Sequence, residues 1–172
     1  MGIKTVLENY LYQATQAAFN VAGMNIQLIH SHQGLEPENT YCVMNILQLQ
    51  RVGRMTESTF INPVENDELW TIANYNLYTQ FSFIGDKADD YGFDFGHNIT
   101  NNRRFIEEYQ KRKLAVTKRS DIRNQPQMRD SQWKPVQNMD LTFSLAVRTR
   151  QTVDWVEFIT VNGETYRIYN NE

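Results

Sequence analysis

Cys42 is the one cysteine among 172 residues, so no disulfide can form within the chain. Its composition suits a reducing compartment, or indifference to redox state. Long apolar runs are also missing. None approaches the ~18 residues that a helix needs to cross a bilayer, and Met1 to Ala22 lacks the continuous apolar centre of a secretory signal. The eight glycines are scattered, which leaves neither a phosphate-binding loop nor a dinucleotide fingerprint. No Gly-x-Ser-x-Gly occurs, so no serine has the strand-turn-helix setting of a hydrolase nucleophile. Internal repeats and low-complexity tracts are absent as well.

What is present is an ordinary globular composition, with 41% hydrophobic and 22% charged residues. A chain of this length is expected to form one domain, residues 1–172, burying about two thirds of its unfolded surface. The net charge of −3 hides an asymmetry. Ten Lys or Arg fall between Arg103 and Lys134 against four acids, whereas the rest of the chain carries seven bases and sixteen acids. A basic band on an acidic body can meet a polyanion, or the acidic face of another protein. The overall pI of about 5.6 argues against a dedicated nucleic-acid binder.

Apolar periodicity divides the chain into elements. Ile3, Val6, Leu7, Tyr10, Leu11, Ala14, Ala17 and Ala18 repeat at helical spacing, with Gly23 as the stop. Asn25 to His32 reads as a short strand before the turn Gly34-Leu-Glu-Pro37. Tyr41 to Val52 is rich in β-formers, with apolar residues on both faces. Gly53 to Asp67 is polar and contains Pro63, which suggests a connection and, over about 54–68, a projecting segment. Trp70 to Ile84 alternates, placing Ala73, Tyr75, Leu77, Phe81 and Phe83 on one face.

After Gly85 the period becomes helical. Asp86 is the candidate N-cap, and Ala88, Tyr91, Phe95, Ile99, Phe105, Ile106 and Tyr109 mark the buried stripe. Gly92 and Gly96 each cost such a helix ~1 kcal/mol relative to Ala, so it is expected to break or to pack closely there. Leu114 to Ile122 is a short strand, and Asn124 to Pro135 has loop chemistry within a basic loop spanning about 113–135. Met139 to Val147 alternates cleanly. Val153 to Val161 follows, and Asn162-Gly163 is a strong hairpin signal. The order implies an α+β fold, a largely antiparallel mixed sheet covered on one face by two helices.

Candidates for chemistry are few. His30 and His32 would share a strand face, as metal ligands sometimes do, but nothing in the sequence completes the set. Asp90, Asp94 and His97 fall on one helical face, yet acids in a first turn answer the helix dipole and the calcium-loop spacing is missing. Cys42 lies in an apolar strand, where a buried thiol is inert. Catalytic, cofactor and metal sites are therefore expected to be absent, and enzymatic activity with them. Most aromatic residues occupy inward positions. Tyr78, Trp133 and Trp155 do not, and exposed aromatics with Arg suit a protein-protein interface.

Four segments carry a resemblance. "CVMNILQLQRVGR" (42–54), "YTQFSFIGDKADD" (78–90), "DSQWKP" (130–135) and "LAVRTRQTVDWVEFITVNG" (145–163) resemble, in content and order, the tailed-phage neck or tail terminator family. The resemblance spans roughly Tyr41 to Ile168. It implies a non-enzymatic virion protein of the neck, forming a ring, typically hexameric, that ends the tail tube and encloses the channel for DNA. The implied partners are other copies of the chain, the tube protein, a head-completion or connector protein and, in contractile tails, the sheath. DNA only passes through the lumen, and no membrane is involved. On this view Arg51, Arg54, Arg119, Arg123, Trp133, Arg148, Arg150, Asp154, Trp155 and Glu157 are candidate subunit or partner contacts. The alternatives are another head-tail joining protein, a nucleic-acid-binding module using the basic band, and a metal-dependent hydrolase using Asp90, Asp94 and His97.

Overall fold

A computed structural model describes residues 3–30, 37–60, 68–129, 132–152, 158–161 and 164–167. The first helix, α1 (Ile3–Ala22), ends where the periodicity stops, at Gly23 with φ +69°. Strands β1 (Gln27–His30), β2 (Tyr41–Phe60) and β3 (Glu68–Ile84) follow, then helices α2 (Ala88–Asn101) and α3 (Arg103–Lys111). The remaining strands are β4 (Ala115–Arg119), β5 (Arg123–Asn124), β6 (Gln127–Arg129), β7 (Gln132–Lys134), β8 (Val136–Thr152), β9 (Phe158–Val161) and β10 (Glu164–Arg167). This is an α+β fold.

The main sheet has the order β1-β2-β3-β8-β4, with β5 also paired to β8. It is mixed: β1 runs parallel to β2, whereas β4 and β5 run antiparallel to β8. Ser82 bonds Asn138 and Gln80 bonds Asp140, a numbering that runs in opposite senses on β3 and β8, as an antiparallel pair requires.

The chain divides into two compact units. One comprises residues 1–52 and 74–146. Its core is aromatic and lies between the helices and the odd-numbered face of β3 and β8. Phe95 of α2 sits at its centre, with ring centroids 5.0 to 5.8 Å from Phe19, Phe81, Phe83 and Phe105. Tyr109 of α3 packs on Phe143 at 5.2 Å. Rings meeting edge-on or tilted add to the gain from burial. The opposite face carries a smaller apolar cluster of Ile29, Tyr41, Ile84 and Val136, with Val43 against it. The second unit comprises residues 53–73 and 147–172. It holds the remaining parts of β2, β3 and β8, together with the antiparallel β9–β10 pair, where Val161 opposes Glu164. That register fits the hairpin expected from Asn162-Gly163, residues that themselves lie outside the described set.

Three local expectations are corrected. Strand β2 continues to Phe60 and β3 begins at Glu68, so most of the segment read as a polar connection is strand; backbone pairing does not require apolar side chains. Asp86 does not cap α2. The helix begins one residue later, with Lys87 at the N-cap position and no side-chain cap bond. Instead the Lys87 N–H donates to Thr40 Oγ1 at 3.1 Å, across the turn at Gly85. That turn needs glycine twice over: φ is +120°, and a Cβ would stand 2.9 Å from the Thr40 Cα.

The third correction concerns the second helix, which is two helices. The break falls at Asn102 rather than at either glycine: this residue is extended, and its side chain accepts from the Phe105 N–H at 3.3 Å. An Asn in this role satisfies an orphan donor of the new helix. The glycines instead allow close packing. A Cβ on Gly92 would lie 2.9 Å from Gln137 Cβ, and one on Gly96 would lie 2.8 Å from Met139 Cε.

Candidate protein-protein interface

The basic band is mostly committed within its own chain. Arg103 pairs with Glu107 at 2.8 Å, Arg112 with Glu108 at 3.8 Å, and Lys111 also with Glu108. Arg119 donates to the Gly96 carbonyl at 2.9 Å and to the Thr100 hydroxyl, fastening β4 to α2. Arg123 pairs with Asp140, which also accepts from Gln80 Nε2 at 3.2 Å. Half-exposed pairs of this kind contribute little stability, but they fix where each guanidinium points. The side chains of Arg104, Lys113 and Lys118 form no ion pair among the described residues.

The other candidate residues are distributed as follows. Arg51 is exposed on β2. Arg54 lies on β2, and Arg148 and Arg150 on β8. Asp154, Trp155 and Glu157 lie outside the described residues. Tyr78 is half-buried, and its hydroxyl donates to Gln50 Oε1 at 3.0 Å.

Among the described members of the set, Trp133 is the one presented to solvent as a large apolar group. It stands on the β6–β7 hairpin directly opposite Met128. The two are 68% and 63% exposed. Strand alternation puts Gln127, Arg129, Gln132 and Lys134 on the hairpin's other face. That polar face is the anchored one, since Arg129 Nη1 donates to the Tyr41 hydroxyl at 3.2 Å. The hairpin is thus inside out relative to an ordinary surface ribbon, its polar side turned to its own chain and its apolar side to water.

Periodicity did not single out Phe93 or Ile122. Both are exposed, Phe93 at 68%, and they line a pocket of about 310 Å³ between α2 and the β4–β5 turn. Gly96, His97, Arg119, Asp121 and Met139 also line it. Phe93 falls on the polar side of the helical stripe, and an exposed Phe there was the available signal.

Among the described residues, no three His, Cys, Asp or Glu side chains are grouped so as to hold a metal ion. His97 Nδ1 lies 3.2 Å from the Asn101 amide. Cys42 is fully buried, and burial pushes its thiol well above the ordinary pKa, away from the reactive thiolate. Among the described residues, no helix is long and apolar enough to cross a membrane.

A comparison with curated proteins finds no match. A family model described as phage neck terminator protein matches residues 8–168. With nearly the whole length matched, the chain belongs to the phage neck terminator protein family.

Proposed function

We propose that this neck protein works by assembly rather than catalysis: copies close into a ring, hexameric as the resemblance implies, that caps the tail tube and receives the head-completion or connector protein. The lumen passes DNA, the sheath is a further partner if the tail contracts, and assembly takes place in the host cytoplasm. The family match over residues 8–168 carries this reading. The solvent-facing pair Met128 and Trp133 supports it, because a large exposed apolar pair on an anchored hairpin is what an interface needs. The internal pairing of Arg103, Lys111, Arg112 and Arg123 supports it too. Phosphates would find fewer available cations in the band than the sequence count promises, which favours a protein partner over DNA.

Native mass measurement and negative-stain imaging of the full chain, alone and with assembled tail tubes, test the reading. Annular particles of uniform mass, free or seated on tube ends, are expected. Compact monomers that never close into a ring, even on finished tubes, would overturn it.

A further inference from the structure

The hairpin and the pocket are complementary features of one chain, both in the unit formed by residues 1–52 and 74–146. The pocket is on the helix-covered side of the sheet, where Met139 points at Gly96. The hairpin is tied to the other side, through Tyr41, which packs with Ile84 and Val136. A patch on one face and a hole on the opposite face cannot satisfy each other within one molecule. They can do so between molecules, each copy inserting into the next.

We infer that Trp133, flanked by Met128, seats in the Phe93–Ile122 pocket of a second copy of this chain, forming the head-to-tail contact of the ring proposed above, on which this inference rests. The pocket's size suits a side chain: about 310 Å³ is at the small end of the ~300–1,000 Å³ range of ligand clefts. Phe93 and Ile122 give its lining the exposed apolar groups an indole ring needs, while the Asn101 amide oxygen and the Asp121 carboxylate are acceptors for the indole N–H. Both Arg119 and Asp121 line the pocket, so its charge is balanced and favours the uncharged Met128–Trp133 face of the hairpin over a charged insert. Contacts between unlike patches propagate in one direction, giving a ring where the rotation closes and an open filament where it does not. One Trp and one Met bury too little area to hold a dimer alone, so the pair acts as the hot spot of a wider contact.

The test uses two full-length variants, Trp133→Asp and Phe93→Asp, mixed and unmixed, under the conditions in which wild type assembles. Both positions are exposed, so melting temperatures within a few degrees of wild type show that folding is retained; Trp133→Ser and Phe93→Ser replace any variant that fails this check. Each variant alone is expected to lose assembly, with the contact weakened at least about thirtyfold. The 1:1 mixture is expected to give a dimer-sized species that grows no further, because one intact hairpin meets one intact pocket. If both variants assemble like wild type, or if the mixture stays as monomeric as its components, the inference is overturned and the ring reading survives. If wild type itself stays monomeric with and without tubes, both fall.

Discussion

The Tyr109 hydroxyl donates to Thr15 Oγ1 at 3.3 Å, joining α3 to α1 inside the core. Thr15 in turn donates to the Leu11 carbonyl at 2.9 Å, so the two hydroxyls form a short relay between fully buried groups. Burial pushes the Tyr109 phenol far above its ordinary pKa; the Thr15 bond works against the shift, and the nearby Cys42 adds to it.

The sign of that shift sets an alkaline limit. Unfolded Tyr loses its proton near pH 10 and unfolded Cys near pH 8.5, while the folded protein keeps both protons. The stability from holding Tyr109 neutral is fully present below about pH 10. Above that it is lost at up to ~1.4 kcal/mol per pH unit. Tyr109→Phe is expected to cost about 1 kcal/mol at pH 8, and its deficit relative to wild type should shrink between pH 10 and 11. Urea unfolding of both proteins across that range measures the gap. A constant gap would show that Tyr109 ionises freely in the folded state.

The two glycines of α2 are expected to differ when each is replaced by Ala. At Gly92 the added methyl meets Gln137 Cβ, which is fixed to the backbone and cannot swing away. At Gly96 the nearest atoms are Met139 Cε at 2.8 Å and Ile122 Cδ1 at 3.1 Å, both ends of flexible side chains. Overpacking costs ~1–3 kcal/mol where the neighbour is rigid, and Ala returns up to ~1 kcal/mol of helix propensity. Gly92→Ala should therefore melt several degrees below wild type, and Gly96→Ala within a few degrees of it. A reversed order in calorimetry would mean that the β8 backbone yields more readily than Met139.

The parts of the fold that depend on repeated spacing could be read from the sequence. The α1 stripe, the alternation along Leu77 to Phe83 and the Met139 to Leu145 strand each repeat enough times for the period to show. The break at Asn102 could not, because one extended residue interrupts an apolar stripe that continues in phase on both sides. The run Asn98-Ile-Thr-Asn-Asn102 was the cue, since such residues favour caps over helix interiors. For the candidate interface, Trp133 was legible as an aromatic in a loop-like segment. Its partner in space, Met128, depended on a hairpin register that loop composition conceals. Arg119 and Arg123 looked like offered charges because sequence shows a charge but not the Gly96 carbonyl or Asp140 that occupies it.

Cys42 gives a direct reading of core integrity. Its side chain is wholly buried in β2, and its raised pKa keeps the thiolate scarce. As the only thiol in the chain, it is expected to resist a maleimide at pH 7.5 in the native protein, and to react within minutes once urea unfolds it. The labelling rate should then follow the fraction unfolded. Rapid labelling of the native chain would show that β2 opens locally without global unfolding.

Thr79 is the place where the core can be improved. It is fully buried on β3, between Leu77 and Phe81 on the face that the helices cover, and its hydroxyl has no hydrogen-bond partner among the described residues. A buried donor left unmade costs about 1–3 kcal/mol, and a methyl of nearly the same size removes that cost without opening a cavity. Thr79→Val is therefore expected to stabilise the protein by about 1 kcal/mol, raising its melting temperature by roughly 2–4 °C for a chain of this length. Thr79→Ser keeps the hydroxyl and deletes the methyl, so it should lower the melting temperature. If Val is the less stable of the two, the hydroxyl has a partner in solution, an internal water being the simplest, and the strand is wetter than its burial implies.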